Sequence, residues 1–244
     1  MEKAEIASLL RGVERRYALR QTLSLGALTL LTGCDVTYND PVQSVLGAFS
    51  RWNDTVQAAL FDPSKLAPTF AENLAVKDFR YNAWYGKEKA PRLDPAKYKL
   101  ELAGLIGDKR SWSVEQLYAL PRQTQITRHV CVEGWSMIGK WTGAPLRAFL
   151  ERVGADTTAK YVGFACADGY YEGMDMATAL HPQTIMAFEL SDQTLPYEYG
   201  FPFKMRVPTK LGFKGPKWVT ALYVSNNRPR TFWTDRGYNW FSGS

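Results

Sequence analysis

Three cysteines and two histidines are the residues of this 244-residue chain with the widest chemical reach: Cys34, Cys131, Cys166, His129 and His181. Cys131 sits in the run Arg128-His129-Val130-Cys131-Val132-Glu133-Gly134-Trp135-Ser136. Strand alternation puts His129 and Cys131 on one face, with Arg128 and Val130 on the other. One thiol beside one imidazole permits a nucleophilic thiolate, as in cysteine-dependent hydrolases. The same pair suits a thiolate ligand to a redox metal, because a metal deprotonates a coordinating thiol. A third reading is a Cys131–Cys166 disulfide in a non-catalytic exported lipoprotein, the default for two cysteines in an oxidising compartment. Three cysteines exclude four-cysteine metal sites. The chain has no Cys-x-x-Cys-His run for covalent haem, and two histidines leave little scope for axial haem ligation. Any electron-transfer chemistry must therefore exchange electrons with another protein.

Positioning Cys131 falls to a strand over residues 123–130, which alternate. Further strand patterns occupy residues 99–105, 161–167, 184–190, 203–207 and 218–225, punctuated by Gly, Pro, Asp and Asn. Ser113-Val114-Glu115-Gln116 has capping-box spacing for a short helix that ends by Pro121. Residues 145–153 predict a helix with Pro145 in its first turn, Leu146, Phe149, Leu150 and Val153 on one face, and Gly154 at its end. Residues 41–61 carry Val42, Val45, Leu46, Phe49, Trp52 and Val56 at helical spacing, predicting a helix that lays this face on the body of the protein. Residues 62–95 show no sustained periodicity and read as irregular chain over a core. The whole pattern predicts an α+β fold rich in strands.

Composition is that of a folded protein: 45% apolar, 22% charged and an aromatic content of 14% that is high for a globular chain. A net charge of +6 without a Lys/Arg block, zinc-finger spacing or RNA-binding aromatic signature is too mild to imply nucleic acid. Residues 11–34 read RGVERRYALRQTLSLGALTLLTGC, a basic stretch, then an uncharged Leu-rich run, then Cys34. This is export-signal anatomy, and the apolar run of about 13 residues falls short of the roughly 20 a membrane span needs. Arg15-Arg16-Tyr17-Ala18-Leu19-Arg20 resembles a twin-arginine signal, and Leu31-Thr32-Gly33-Cys34 resembles a bacterial lipobox. Those resemblances imply export of an already folded, cofactor-loaded protein to the periplasmic side of the inner membrane, held there by a lipid anchor on Cys34. The expected organisation is a signal over residues 1–33, a linker with the amphipathic helix over 34–74, and one domain over 75–244 that carries the chemistry.

Several blocks occur in a fixed order between residues 75 and 225: the run around Cys131, then Lys140-Trp141-Thr142-Gly143, Lys160-Tyr161-Val162-Gly163-Phe164, Ala179-Leu180-His181-Pro182, Gly200-Phe201-Pro202-Phe203-Lys204-Met205-Arg206-Val207-Pro208 and Gly212-Phe213-Lys214-Gly215-Pro216-Lys217. Together they resemble the molybdopterin-binding fold of the sulfite oxidase superfamily, nearest its branch of periplasmic methionine sulfoxide reductase catalytic subunits. The resemblance implies a molybdenum centre held by one pyranopterin and one protein thiolate, Cys131. It implies pterin contacts from Asn82, Tyr85 and Gly86, a phosphate contact from Lys204 where the family has arginine, and further cofactor contacts from Gly215, Pro216 and Lys217. Lysine keeps the charge but loses the bidentate fork, which Arg206, two residues on along the same face, is placed to supply. Cys166 and Tyr199 occupy two more cofactor positions, where the reductase branch has Thr and Asn. His129 is the expected substrate contact or donor beside the metal ligand; Trp135 and Trp141 read as core aromatics, and His181 as a helix terminus.

The activity so implied is two-electron oxygen-atom transfer on an S-oxide or N-oxide, with a membrane b-type cytochrome as redox partner. The stretch between the strand at 161–167 and Ala179 is shorter than in the reductases, so part of their substrate wall is missing and methionine sulfoxide is not carried over. A sulfite-type dehydrogenase is the alternative. Against it, Val132-Glu133-Gly134-Trp135 stands where sulfite-oxidising relatives carry an arginine pair.

Overall fold

The computed structural model describes residues 40–244. The signal and the lipobox cysteine expected at residues 1–34 lie outside the described residues. The chain divides into two units, residues 1–51 and 52–244, and the residues expected to carry chemistry fall in the second. Helix α1 (Asp40–Leu60) begins in the first unit and ends in the second. Its apolar stripe is not buried: Val45, Leu46 and Phe49 are exposed, and Trp52 is 66% exposed. Within the second unit, where the stripe is expected on the protein body, Trp52 departs from that expectation while Val56 is half-buried. Polar bonds engage the C-terminal half of the helix instead. The Asp54 carboxylate accepts from the backbone N–H groups of Trp240, Phe241 and Ser242 at 2.9–3.1 Å, and Gln57 Oε1 accepts from Gly243. Those N–H groups lie outside the sheets and need side-chain acceptors. Among the described residues no helix is long and apolar enough to cross a membrane.

Two sheets build the second unit. In the first, β1 (Glu101–Gly104), β9 (Val219–Ser225), β4 (Tyr161–Cys166) and β5 (Tyr171–Asp175) lie side by side in that order, with β1 parallel to β9 and the remaining pairs antiparallel. The second runs β2 (Gln123–Val130), β3 (Ser136–Pro145), β6 (Ile185–Leu190) and β7 (Gln193–Thr194), and β8 (Lys204–Arg206) also pairs with β6. Every residue of β6 except Glu189 is buried, the pattern of a strand covered on both faces. Short helices link the strands. In α2 (Val114–Tyr118), Ser113 Oγ accepts from Gln116 N while Gln116 Oε1 accepts from Ser113 N, the predicted capping box. Helix α3 (Leu146–Arg152) starts after Pro145, buries Leu146, Phe149 and Leu150, and is followed by Gly154 at φ +63°. Helix α4 (Met176–Ala179) is capped by the Asp175 carboxylate.

The larger core cluster joins Leu100, Leu117, Phe149, Val162, Phe188, Phe203 and Leu222, and a smaller one gathers Phe79, Trp141, Ile185, Ala187, Leu190 and Leu195. β3 and β5 escape the alternation rule for physical reasons. β3 carries Gly139, Gly143 and Pro145. Glu172, in the middle of β5, is charged yet fully buried, so polarity and inward direction are uncoupled there.

Candidate active site

The β2–β3 hairpin places Cys131. Its strands pair from Gln123 with Gly143 up to Val130 with Ser136, leaving residues 131–135 as the connection. Cys131 N–H donates to Trp135 O at 2.9 Å, and Gly134 N–H donates to Cys131 O at 3.1 Å. Gly134 has φ +86° and open space around it, so the backbone conformation, not crowding, asks for glycine. Cys131 is 8% exposed, and its free thiol is held above its ordinary pKa chiefly by burial. It lines an open pocket of about 190 Å³ together with Asn82, Gly215, Pro216 and Lys217. Five residues expected from separate parts of the chain thus share one cavity.

Three cations, all buried, lie in this part of the molecule: Lys204 and Arg206 on β8, and Lys217. Gly200, at φ +116°, makes room for the two lysines. A Cβ there would meet Lys217 Cβ at 2.9 Å and Lys204 Cβ at 3.2 Å. Lys217 Nζ donates to Asn82 O at 2.6 Å, and Lys204 Nζ lies 5.1 Å from the Trp141 ring centre. Arg206 Nη2 donates to Arg128 O at 2.6 Å and Thr127 Oγ1 at 3.1 Å, while its Nε is buried without a hydrogen-bond partner. Burial, then Lys217 and Arg206, hold the Lys204 pKa well below the usual lysine value. Burial brings Lys217 down to about 7 and Arg206 to about 9. Mutually repelling buried cations with one orphaned donor make a site that an anion completes. The phosphate end of a molybdopterin fits this donor set, and Cys131 offers a thiolate to its metal. Among the described residues no group of three or more His, Cys, Asp or Glu is placed to hold a metal ion.

Other expected residues stand outside the pocket lining. His129 is 1% exposed, and burial followed by Lys204, Arg206 and Lys217 lowers its pKa to about 2, so it is neutral. Asn82 Nδ2 lies 3.3 Å from His129 Nε2, so that ring nitrogen is engaged by Asn82. Gly212 lies so close to the His129 ring that a Cβ there would sit 2.3 Å from Cε1. Tyr85 donates to Asp168 Oδ2 at 2.7 Å, and Gly86 precedes the turn Lys87–Lys89. Cys166 is a buried free thiol at the end of β4, which corrects the disulfide reading. Tyr199 donates to Phe79 O and lines a separate surface cavity with Lys140 and Asp192. Trp141 is fully buried, whereas Trp135 is only half-buried, with the Arg80 guanidinium 5.0 Å from its ring centre. His181 follows α4, with Nε2 3.1 Å from Lys65 O and Nδ1 accepting from Gln183 N.

The pocket also contains residues to which the sequence assigned no role. Val132 and Glu133 adjoin Cys131, Trp84 adjoins Asn82, and Phe213 lies in the loop of Gly215, so their motifs could have pointed to them. Asp168 and Tyr170 come from the β4–β5 turn, and Trp233 and Tyr238 from a segment beyond the resemblance, where no local signal exists. The loop of Gly212 to Lys217 is anchored from below. Lys214 Nζ donates to Glu172 Oε1 and Gly173 O, both at 2.6 Å, and Tyr170 Oη lies 3.0 Å from Glu172 Oε2 and 2.8 Å from Phe213 O.

A strand-rich α+β scaffold with a hairpin thiol and a buried cation cluster is the architecture of a molybdopterin-binding oxidoreductase. Residues 87–233 match the family described as "Oxidoreductase molybdopterin binding domain". A protein of Azospira oryzae named "Putative protein-methionine-sulfoxide reductase subunit YedZ1" is 53% identical over 230 residues, 94% of this chain and 88% of that protein. The protein-methionine-sulfoxide reductase catalytic subunit MsrP of Ralstonia nicotianae is 32% identical over 180 residues, 63% of this chain and 54% of that protein; the chain therefore spans about half the length of this second relative. Among solved structures, the sulfane dehydrogenase SoxCD of Paracoccus pantotrophus shares the fold, with a TM-score of 0.53 and 22% identity over 57% of this chain and 40% of that one. The chain belongs to the sulfite oxidase-type family of molybdopterin-binding oxidoreductases.

Proposed function

We propose that the chain is the catalytic subunit of an exported sulfoxide reductase acting on methionine-sulfoxide-type substrates, loaded with a molybdenum pterin and fed electrons by a membrane b-type cytochrome. One observation carries this reading: a pocket thiol, Cys131, shares its cavity with Lys217, itself one of three buried cations that an anion would complete. The name of the Azospira relative supports the substrate class and the role as one subunit among others. Residues 11–34 support export and a lipid on Cys34, which would keep the chain beside a membrane electron donor.

When bound, the molybdenum pterin supplies two-electron oxygen-atom exchange with the substrate. The chain's own contribution is placement. Cys131 presents the ligand sulfur from a closed hairpin, and Lys204, Arg206 and Lys217 neutralise the phosphate. His129 acts as a positioning residue, fixing the Asn82 amide that borders the pocket. The Lys214–Glu172 pair holds the cofactor loop from beneath. Glu133 and Asp168 line the pocket and oppose entry of sulfite, which disfavours the sulfite-type dehydrogenase.

The test is elemental analysis of the full chain made in a host that synthesises molybdopterin, with sulfoxide reduction followed by oxidation of a reduced dye. The expected result is one molybdenum per chain and turnover of methionine sulfoxide. Cys131→Ser should keep the fold, as judged by circular dichroism and melting temperature, while turnover is lost. A protein without molybdenum, or full turnover in the serine variant, overturns the proposal.

A further inference from the structure

The pocket keeps one side that the cofactor residues do not claim, and the C-terminal segment builds much of it. Thr231 and Thr234 hydroxyls bond each other at 2.6 Å, the turn Thr234–Arg236 follows, and Gly237 at φ +92° reverses the chain. Tyr238 N–H then donates to Trp233 O at 3.0 Å. This closed loop sets the Trp233 and Tyr238 rings edge to face at 5.1 Å, with Tyr238 also 6.1 Å from Phe213 on the cofactor loop. From the other direction Trp84 stacks on Phe232 at 5.2 Å and 29°. Asp235 pins the loop to β5 by accepting from Tyr171 Oη at 2.6 Å, and it pairs with Arg230 at 2.7 Å.

Trp84, Phe213, Trp233 and Tyr238 line the same cavity as Cys131, yet Trp84 is 52% exposed and Tyr238 43% exposed. Large aromatic faces left open to solvent around a functional pocket are contact surface for a ligand. Their chemistry selects the ligand. Aromatic rings favour alkyl and sulfur groups, and once Lys217, the one lysine of the cavity lining, is taken up by the cofactor phosphate, Glu133 and Asp168 in the same lining oppose a second anion. Trp233 closes the matched residues 87–233 and Tyr238 lies just beyond them.

We infer that the loop from Thr231 to Tyr238 is the substrate wall of the Cys131 pocket, with Trp233 and Tyr238 gripping the alkyl arms of a neutral sulfoxide and setting specificity against oxyanions. The inference rests on the sulfoxide reductase reading and gives it a substrate contact.

The test uses the molybdenum-loaded full chain and N-acetylmethionine sulfoxide amide, a neutral probe. Binding is measured by equilibrium dialysis without electron donor, and turnover with reduced dye. Tyr238→Ala and Trp233→Ala should each raise Kd and KM about tenfold, with molybdenum content and kcat unchanged. The free acid of the same probe should bind more weakly than the amide to the wild type. If an alanine variant loses molybdenum, Tyr238→Phe and Tyr238→Leu decide: the ring-bearing variant keeps the wild-type KM and the leucine variant raises it. Equal Kd and KM in wild type, alanine and leucine variants overturn the wall while the sulfoxide reading stands. A molybdenum-loaded wild type that neither binds nor reduces the probe overturns both.

Discussion

Lys217 holds its proton weakly, since burial brings its pKa to about 7 and its Nζ hydrogen-bonds a neutral acceptor, the Asn82 carbonyl. A phosphate arriving near it gains most when the lysine is charged, below that pH. The apo chain should therefore bind inorganic pyrophosphate, a stand-in for the anionic end of the cofactor, more tightly at pH 6 than at pH 8, with proton uptake on binding. Calorimetry in two buffers of different ionisation enthalpy reads both effects. Lys217→Met should weaken binding at pH 6 and flatten the pH dependence, because the titrating charge is gone. His129, neutral with a pKa near 2, contributes no step to that profile. Its part is steric and directional, wedged between Gly212 and Asn82.

At the scale of elements, the cofactor loop and the C-terminal segment are held by few, well-buried polar contacts. Glu172 on β5 is fully buried against Lys214, which is 1% exposed. Removing one partner of such a pair leaves the other charged in an apolar setting, at a loss of about 3–5 kcal/mol. Glu172→Gln should lower stability by that order in urea unfolding and increase hydrogen exchange in the loop of Gly212 to Lys217. Asp54 presents a parallel case with a milder outcome. Its carboxylate accepts three backbone N–H groups of residues 240–242, so Asp54→Ala should lose about 1–3 kcal/mol. Limited proteolysis should then cut first within the C-terminal segment. The capping box at Ser113, the helix after Pro145 and the strand Gln123–Val130 were legible because each has a local cause, a cap, a fixed φ or a clean alternation. β5 was not legible, because what makes Glu172 an inward residue is a lysine 42 positions away.

Across the whole molecule, Lys210 shows how burial makes stability depend on pH. It is 1% exposed, its Nζ has no hydrogen-bond partner, and it lies over the Phe61 ring at 4.4 Å. Burial lowers its pKa to about 7, with Asp175 and Asp54 raising it and Lys214 lowering it. The unfolded chain keeps this lysine protonated up to an ordinary pKa near 10.4. Between these two values the unfolded state binds a proton that the folded state lacks, so this group makes stability rise with pH from about 7 to 10. Below pH 7 the folded state carries the buried charge in full. Lys210→Met should therefore stabilise the protein at pH 6 by roughly 1–3 kcal/mol, and the gain should shrink by pH 9. Urea unfolding at the two pH values measures both.

The amino-acid sequence alone determined which residues can do chemistry, the α+β class, and the family, because several ordered blocks around Cys131 carry that information without coordinates. It also placed Cys131 at the end of a strand, since alternation and Gly134 are local properties. Only the tertiary structure decided how those residues divide. Asn82, Cys131, Gly215, Pro216 and Lys217 share one cavity, His129 turns to Asn82, and Cys166 and Cys131 remain separate thiols. Trp233 and Tyr238 reach the pocket by a chain reversal at Gly237 and a bond from Asp235 to Tyr171. The physical reason is common to all of these: direction and burial of a side chain depend on partners far away in sequence, and one-dimensional spacing does not encode them.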